Sequence, residues 1–173
     1  MAYYSITLIE ISTMVLINLA TIDDLDQIIL CENTKHNKRF ICPNSEEEHK
    51  SNFANEDIDY LVIRAQNDKR FIGYIILAGK NNSSNKIELR RIALLERGKG
   101  YGRKAIQWVK DYVFKDLGKN RLELDVFDFN EIGRKLYLSE GFIEEGIIRQ
   151  VFLTEKGYQN LVIMSILKKD YHS

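Results

Sequence analysis

The segment between residues 86 and 115 restricts most strongly the folds open to this 173-residue chain. Its first part, Ile87-Glu88-Leu89, alternates apolar and polar residues as a half-buried strand does. Three glycines follow in Gly98-Lys99-Gly100-Tyr101-Gly102. Apolar residues then recur at helical spacing, at Tyr101, Ala105, Trp108, Val109, Tyr112 and Val113. A strand, a glycine-rich turn and an amphipathic helix in this order predict an α/β domain.

Further strands and helices are predicted on both sides of this unit. Strands are predicted over residues 14–20, 60–65, 70–78, 86–94, 121–127, 147–153 and 161–167. Helices are predicted over 22–32, after a capping box at Ser45 and Glu48, over 100–115, and from Asn130 to Gly141. The polar segment 33–45 predicts a loop. We therefore expect an α/β (α+β) fold with a domain over residues 14–173 and an N-terminal extension over residues 1–13.

The strand at 86–94 contains a break in its alternation. Apolar residues occupy positions 87 and 89, and then 92 and 94, so the period of two slips by one residue. A β-bulge accommodates such a slip, and bulges favour active sites because they re-aim side chains. The alternative is a regular strand whose Arg91 lies near an edge of the sheet.

The glycine-rich turn before the helix has the chemistry of a phosphate site. Glycines let the backbone approach a ligand closely, and the free N–H groups at a helix start favour an anion. The turn lacks the Gly-Lys-Ser/Thr of a Walker loop, and its G-x-G-x-G spacing is not the dinucleotide fingerprint. The alternative for its basic residues, Arg97, Lys99, Arg103 and Lys104, is a set of ordinary surface charges.

The charge distribution also favours a small anionic ligand. Residues 1–60 hold 11 acidic and 4 basic residues, whereas residues 86–121 hold 11 basic and 4 acidic residues. A balanced chain with one basic segment favours a local anion over a long nucleic acid. A nucleic-acid binder would need exposed aromatic residues among the basic ones, but Trp108 and Tyr112 belong to the apolar stripe of the helix.

Membrane, metal and disulfide chemistry are not indicated by the sequence. No run of about 20 apolar residues predicts a membrane span, and the apolar N-terminus lacks a basic n-region and is interrupted by Glu10. Cys31 and Cys42 fit no metal or redox spacing, and the three histidines are scattered. We expect a cytoplasmic protein without a metal site.

Two motifs together resemble the GNAT N-acetyltransferase superfamily. Arg97-x-x-Gly100-x-Gly102 is similar to its pyrophosphate loop, [QR]-x-x-G-x-[GA]. The segment from Asn130 to Phe142 is similar to its second signature, N-x-x-[AG]-x-x-[LF]-Y-x-x-x-G-F. The pattern is most similar to the branch of ribosomal-protein and polyamine acetyltransferases. The resemblance implies a mixed sheet of about six to seven strands, with a splayed central parallel pair and about four flanking helices.

The resemblance also implies a binding site for acetyl-coenzyme A as co-substrate. The pantetheine arm would lie between the strands at 86–94 and 121–127, and the pyrophosphate would lie on the amides of residues 98–102. No metal is implied. The implied cofactor-binding residues are Ile92, Ala93, Leu94, Arg97, Gly98, Lys99, Gly100, Tyr101, Gly102, Arg103, Lys104 and Asn130.

Acetyl transfer to an amine needs a base, because an alkylamine has a pKa near the lysine value of about 10.4 and is mostly protonated at neutral pH. The resemblance implies Glu88 as that base, directly or through water, and Tyr137 as the acid that protonates the leaving thiolate. The alternatives are an exposed Glu88 paired with Arg90 or Arg121, a Tyr137 that is only a core aromatic, and an Asn130 that is only an N-cap.

We expect direct transfer from acetyl-coenzyme A to a primary amine, because both cysteines lie outside the motifs. The rival hypothesis is a non-catalytic domain that binds coenzyme A as a sensor or scaffold; the presence of Glu88 and Tyr137 favours an enzyme.

The acidic first third, with Glu46, Glu47, Glu48, Asp57 and Asp59, favours a cationic small-molecule or peptide amine as acceptor. The strand edge within 147–167 could pair with a second copy in a homodimer.

Overall fold

The computed structural model describes residues 15–171, which form one mixed sheet with helices on both of its faces. The strands are β1 Val15–Leu19, β2 Ile58–Ala65, β3 Phe71–Ala78, β4 Lys86–Leu94, β5 Arg121–Phe127, β6 Ile143–Thr154 and β7 Gly157–Leu167. The α-helices are α1 Leu25–Glu32, α2 Glu46–Phe53, α3 Tyr101–Asp111 and α4 Glu131–Ser139. The predicted mixed sheet and its flanking helices are confirmed. The predicted extension, residues 1–13, lies outside the described residues.

The strand order is β1-β2-β3-β4-β5-β7-β6, and β4 and β5 are the parallel pair at its centre. Their pairing runs only from Lys86, opposite Arg121, to Glu88, opposite Glu123. Beyond Glu88 the two strands separate, so the last six residues of β4 have no partner on the β5 side. The predicted splayed parallel pair is confirmed.

The predicted bulge in β4 causes this change of direction. On the β3 side, Ile76 lies opposite Arg91 and Leu77 lies opposite Leu89, so Arg90 is the extra residue. The bulge restores the alternation and keeps the apolar residues on both sides of it turned towards the same core.

Several element boundaries differ from the prediction for local reasons. The helix predicted from Ile22 begins with a 3-10 turn, and α1 starts only at Leu25. The capping box is present, because Ser45 Oγ accepts from Glu48 N at 3.2 Å and Glu48 accepts from Ser45 N at 2.6 Å. The last two strands start four residues earlier than predicted, because the polar residues before each apolar run take part in the pairing between β6 and β7.

The two faces of the sheet are covered differently. On the first face, α3 and α4 pack over a large core that includes Ile87, Leu89, Leu122 and Leu124. On the second face, α1 and α2 contact mainly β2, β3 and β4 around a smaller core. The part of the second face on β5 and β6 stays more open, and Asp125 there is exposed. No helix within residues 15–171 is long and apolar enough to cross a membrane.

Candidate active site

A cavity of about 300 Å³ lies where β4 and β5 separate. It is lined by β4, by β5, by the start and middle of α4, and by the loop between α1 and α2. The lining residues used below are His36, Phe40, Cys42, Arg90, Arg91, Ile92, Leu94, Arg97, Gly102, Asp125, Phe127, Asn130, Tyr137 and Phe152. The cavity therefore joins the splay to the glycine-rich turn.

The free edge of β4 provides the first part of this site. Ile92 and Leu94 line the cavity, whereas Ala93 is buried in the core of the second face. Because the pairing with β5 ends at Glu88, backbone groups beyond it face the gap instead of another strand. An extended, amide-containing chain can pair with such groups as a missing strand would.

The three glycines of the turn are required for different structural reasons. Gly98 has φ +73° and Gly100 has φ +77°, conformations that side chains with a Cβ rarely adopt. A Cβ on Gly98 would meet no atom within 4 Å, so this position borders open space. A Cβ on Gly102 would lie 3.3 Å from Leu136 Cδ2, so this glycine allows α3 and α4 to pack closely. The N–H groups of the first turn of α3 are available to an anion.

A cluster of positive charge lies beside this turn. Desolvation and the charge of Arg39 lower the pKa of Arg97, and desolvation, Arg97 and Arg39 lower that of His36. Neither arginine forms an ion pair with a carboxylate among residues 15–171. Cations held together without a counter-ion suit a phosphate ligand. Sequence reasoning missed Arg39 and His36, because nothing in the local pattern connects a loop residue with a turn almost 60 residues later.

The other predicted basic residues are partly engaged elsewhere. Lys99 pairs with Glu96 at 2.5 Å, and Arg103 pairs with Glu140 and donates to Ser139 at 3.0 Å. Lys104 is exposed. The Tyr101 ring is buried in the core of the first face, so its backbone is the part that borders the turn.

Asn130 and Tyr137 combine structural positions with access to the cavity. Asn130 Oδ1 accepts from Gly133 N at 3.0 Å, which makes Asn130 the N-cap of α4, and it lines the cavity as well. The Tyr137 ring packs in the core and is only 9% exposed, but it reaches the same cavity. Burial and the charge of Asp125 raise the pKa of Tyr137. Its phenol therefore stays protonated at neutral pH.

Two carboxylates on the same face of the sheet, Glu88 and Asp125, have different surroundings. Glu88 accepts from Arg90 Nη2 at 3.0 Å and does not line the cavity. Asp125 lines the cavity and has no hydrogen bond or ion pair with another residue of the described chain. Although Asp125 is open to solvent through the cavity mouth, protein surrounds it on other sides. Desolvation and the charge of Glu88 raise its pKa. The alternation Leu122, Leu124, Val126 could have revealed Asp125, because it puts this residue on the same face as Glu88.

An aromatic strip borders the cavity on the second face. Phe40 stacks on Phe129 at 6.1 Å, Phe129 stacks on Phe127 at 5.1 Å, and Phe152 contacts Phe127 edge-on at 5.7 Å. The strip connects the α1–α2 loop with β5 and β6. It provides an apolar wall next to Asp125, which lies two residues before Phe127 on the same strand face.

Comparison with known proteins identifies the family. Residues 23–142 match the Acetyltransferase (GNAT) family. The chain belongs to this family. It is therefore an N-acetyltransferase that uses acetyl-coenzyme A. The predicted resemblance and the predicted enzyme class are both confirmed.

Curated relatives and solved structures agree with the family. Spermidine N(1)-acetyltransferase of Vibrio cholerae is 32% identical over 118 residues, which are 68% of this chain and 67% of that protein. An uncharacterized N-acetyltransferase of Bacillus licheniformis, p20, is 34% identical over 74 residues, 43% of this chain and 42% of that protein. The crystal structure of spermidine N-acetyltransferase from Vibrio cholerae with CoA and spermine has a TM-score of 0.82 and 25% identity, and the match covers 91% of this chain and 97% of that one.

Within this GNAT domain, a buried polar network holds the α1–α2 loop against the bulge. Glu32 is fully buried and accepts from Tyr74, from Arg91 Nη1 at 2.5 Å, and from His49 Nε2 at 3.1 Å. Burial alone raises the pKa of Glu32, but the hydrogen bonds from His49 and Tyr74 and the charge of Arg91 outweigh it and lower the pKa. Arg91 also donates to the carbonyl oxygen of Cys42 at 2.8 Å. The network therefore sets the position of one cavity wall.

The thiols of this acetyltransferase have little nucleophilic character. Burial raises the pKa of Cys31 to about 12, and burial raises that of Cys42 despite the charge of Arg91. Cys42 lines the cavity, so it is the thiol that a covalent mechanism would have to use. A raised pKa reduces its thiolate fraction, and the thiolate is the nucleophilic form.

Proposed function

We propose that this enzyme transfers an acetyl group from acetyl-coenzyme A to a primary amine of a linear polyamine, by direct attack within a ternary complex. The observation that carries the proposal is the single cavity that joins the phosphate-binding turn, the free edge of β4 and the Tyr137 phenol. The polyamine assignment is supported by the Vibrio cholerae relative, whose name states that it acetylates spermidine.

The residues of this chain fit acetyl-coenzyme A. Gly98 and Gly100 adopt conformations that leave the turn open, and among residues 15–171 the Arg39–Arg97–His36 cluster lacks a counter-ion. The edge of β4 at Ile92 and Leu94 suits the amides of the pantetheine arm. When bound, acetyl-coenzyme A supplies an activated acetyl thioester. The predicted contacts of Lys99, Arg103, Lys104 and Asn130 with this ligand stay part of the proposal.

In the proposed mechanism, Glu88 serves as the base, directly or through water, and Tyr137 protonates the leaving thiolate. The protonated, buried phenol supports the role of Tyr137. The ion pair of Glu88 with Arg90 favours action through water, because Arg90 occupies one side of the carboxylate. The raised pKa of Cys42 supports direct transfer. Cys42→Ser should therefore keep wild-type turnover, and initial-rate plots for both substrates should intersect and not run parallel.

The proposed preference for a cationic acceptor rests on different acidic residues from the five that the sequence suggested. Asp59 pairs with Lys80 at 2.6 Å, Glu46 pairs with Lys50 at 2.5 Å, and Asp57 accepts from backbone amides. None of the five acidic residues that suggested a cationic acceptor lines the cavity. Instead, the negative charge near the site comes from Asp125, which lines the cavity, and from Glu88, which acts on Asp125.

The test is release of free thiol from acetyl-coenzyme A with a panel of amines. The panel contains spermidine, spermine, amino acids, an aminoglycoside and peptides with a free N-terminus. We expect the highest kcat/KM for spermidine or spermine. A clear preference for neutral or anionic amines would contradict the polyamine assignment but leave the acetyltransferase class intact.

A homodimer and a cytoplasmic location stay predictions. β6 is an edge strand whose exposed apolar residues include Ile147, Val151 and Leu153. An apolar edge strand of this length is usually covered, and a second copy paired along β6 would cover it. Light scattering of the wild type and of Val151→Lys would test the pairing, because a charge within the exposed apolar part of β6 should yield monomers.

A further inference from the structure

We propose that Asp125 is the catalytic residue that contacts the acceptor nitrogen: it binds the ammonium group and takes its proton. This inference rests on the proposed transfer to an amine and deepens it. Glu88 then lies behind Asp125 and passes the proton on through water. The role comes from the position of Asp125 in the fold and was not predicted from the motifs.

The charged residues around Asp125 are paired with one another, but Asp125 is not. On the same open face, Glu123 pairs with Lys86 at 2.5 Å and with Arg121 at 2.7 Å, and Arg121 also pairs with Glu145. Asp125, by contrast, has no hydrogen bond or ion pair within residues 15–171. An exposed carboxylate that lines the cavity and has no partner within residues 15–171 is available to a cationic ligand.

Asp125 also lies beside the gap between β4 and β5. Asp125 lies opposite Ile163 of β7, but on its other side β4 has already turned away at the bulge. Its carboxylate therefore borders the gap that the thioester must enter. Tyr137 lines the same cavity, and the charge of Asp125 acts on its phenol. A base and an acid thus lie on either side of one reaction centre, as the chemistry requires.

Charged and titratable groups surround the Asp125 carboxylate. Glu88 acts on it from β4, Arg90 and Arg91 line the same cavity from the bulge, and Tyr137 lies near it from α4. Desolvation and Glu88 raise the pKa of Asp125, which makes it a better proton acceptor near neutral pH. Phe127 adds an aromatic face on the same side of β5, and aromatic faces attract ammonium groups.

The proton balance closes with these residues. Asp125 takes one proton from the ammonium group, and the neutral nitrogen forms a bond to the thioester carbon. The carbon–sulfur bond then breaks, and the thiolate receives the phenolic proton of Tyr137. The nitrogen, now part of an amide, loses its second proton through water to the Tyr137 phenolate. Asp125 releases its proton by way of Glu88 to solvent, so one proton is liberated for each acetyl group transferred.

The test compares Asp125→Asn, Asp125→Glu and Glu88→Gln with Glu123→Gln, a control on the same face whose carboxylate pairs only with cations of the sheet. Thermal melting confirms that each variant is folded. We measure kcat/KM between pH 6 and 10 with spermidine and with a fluorinated alkylamine that is neutral at pH 7, together with the Kd of acetyl-coenzyme A.

We expect Asp125→Asn to lower kcat/KM for spermidine by roughly a hundredfold or more at pH 7, the range for loss of a general base. The loss should shrink at high pH and be much smaller with the fluorinated amine, because both conditions provide neutral nucleophile. The Kd of acetyl-coenzyme A should change less than about twofold, and Asp125→Glu should restore part of the rate. Glu123→Gln should behave as the wild type.

Three results would overturn the inference. The first is wild-type kcat/KM for Asp125→Asn. The second is a loss that is equal at every pH and for both amines, because that identifies a structural role. The third is a loss only in Glu88→Gln, which would make Glu88 the direct base and leave the proposed function intact. If the wild type acetylates no amine, the proposed function itself fails, and this outcome is visible before any variant is compared.

Discussion

The two sides of the cavity are built in different ways. The cofactor side comes from one continuous segment, β4, the glycine-rich turn and the first turn of α3, and it uses mainly backbone conformation. The acceptor side is assembled from the α1–α2 loop, β5 and α4, and it uses side chains such as Asp125 and Phe40. Substitutions on the cofactor side should therefore affect binding of acetyl-coenzyme A for every amine, whereas those on the acceptor side should depend on the amine.

The largest effect is expected at Gly100. Because its φ is +77° at the N-cap of α3, Gly100→Glu strains the turn and puts an anionic side chain where a phosphate should lie. We expect no detectable binding of acetyl-coenzyme A by calorimetry. Gly102→Glu should have the same effect, with an added stability loss from its contact with Leu136.

Gly118→Glu is the matched control for Gly100→Glu. Gly118 also has a positive φ, +64°, and open space at its Cβ, but it follows the other end of the same helical segment. The variant should have a similar strain and an unchanged Kd. A folded Gly100→Glu protein with wild-type affinity would refute the assignment of the turn.

The second largest effect is expected at Tyr137, where the two sides of the cavity meet. Tyr137→Phe removes the proton donor but keeps the ring that packs on Phe142 at 5.7 Å. We expect turnover to fall by about a hundredfold, the scale of general acid catalysis, with the Kd of acetyl-coenzyme A nearly unchanged. Tyr112→Phe, which loses a hydrogen bond to Asp59 at 2.8 Å outside the cavity, should keep wild-type turnover. Equal turnover in both variants would show that Tyr137 is only a core aromatic.

The contrast between the two sides explains how much the sequence could predict. The bulge at Arg90 was predictable because the slip in alternation is local, and the turn was predictable because glycine spacing encodes its backbone. The motifs also connected Asn130 and Tyr137 with this turn. Arg39 and the aromatic strip were not predictable, because only the packing of the α1–α2 loop brings Arg39 near Arg97 and Phe40 against Phe129. The role of Asp125 depends on its lack of a partner, which becomes visible only when the neighbouring strands are in position.

A third, smaller effect is expected at Arg39, where the α1–α2 loop of the acceptor side approaches the cofactor side. Arg39→Gln removes one cation of the cluster with Arg97 and His36. We expect the Kd of acetyl-coenzyme A to rise about tenfold, which corresponds to about 1.4 kcal/mol. The salt dependence of binding should also become weaker, because screening reduces charge interactions.

Lys38→Gln provides the control for Arg39→Gln, because Lys38 is an exposed neighbour in the same 3-10 turn but, unlike Arg39, is not among the charges that shift the pKa values of Arg97 and His36. Its Kd should equal that of the wild type. Measuring both variants with dephospho-coenzyme A separates the 3′-phosphate from the pyrophosphate. If the Arg39→Gln defect disappears with this ligand, Arg39 contacts the 3′-phosphate; if Arg39→Gln has no defect with either ligand, the cationic cluster is not a phosphate site.

The smallest effect is expected from deletion of residues 1–13, which sets a baseline for both sides of the cavity. β1 begins at Val15, pairs with β2 from Val15 to Leu19, and lies at the edge of the sheet three strands away from β4. Removing the residues before it should leave these pairings intact, so the Kd of acetyl-coenzyme A and the kcat with spermidine should both stay at wild-type values. The unfolding free energy should change by less than about 1 kcal/mol, within the range of ordinary surface changes. A loss of more than about 3 kcal/mol, the size of a serious core defect, would make these residues an integral part of the domain. Deleting residues 1–20 is the positive control, because it removes β1 itself with the buried Ile17 and should destabilise the sheet.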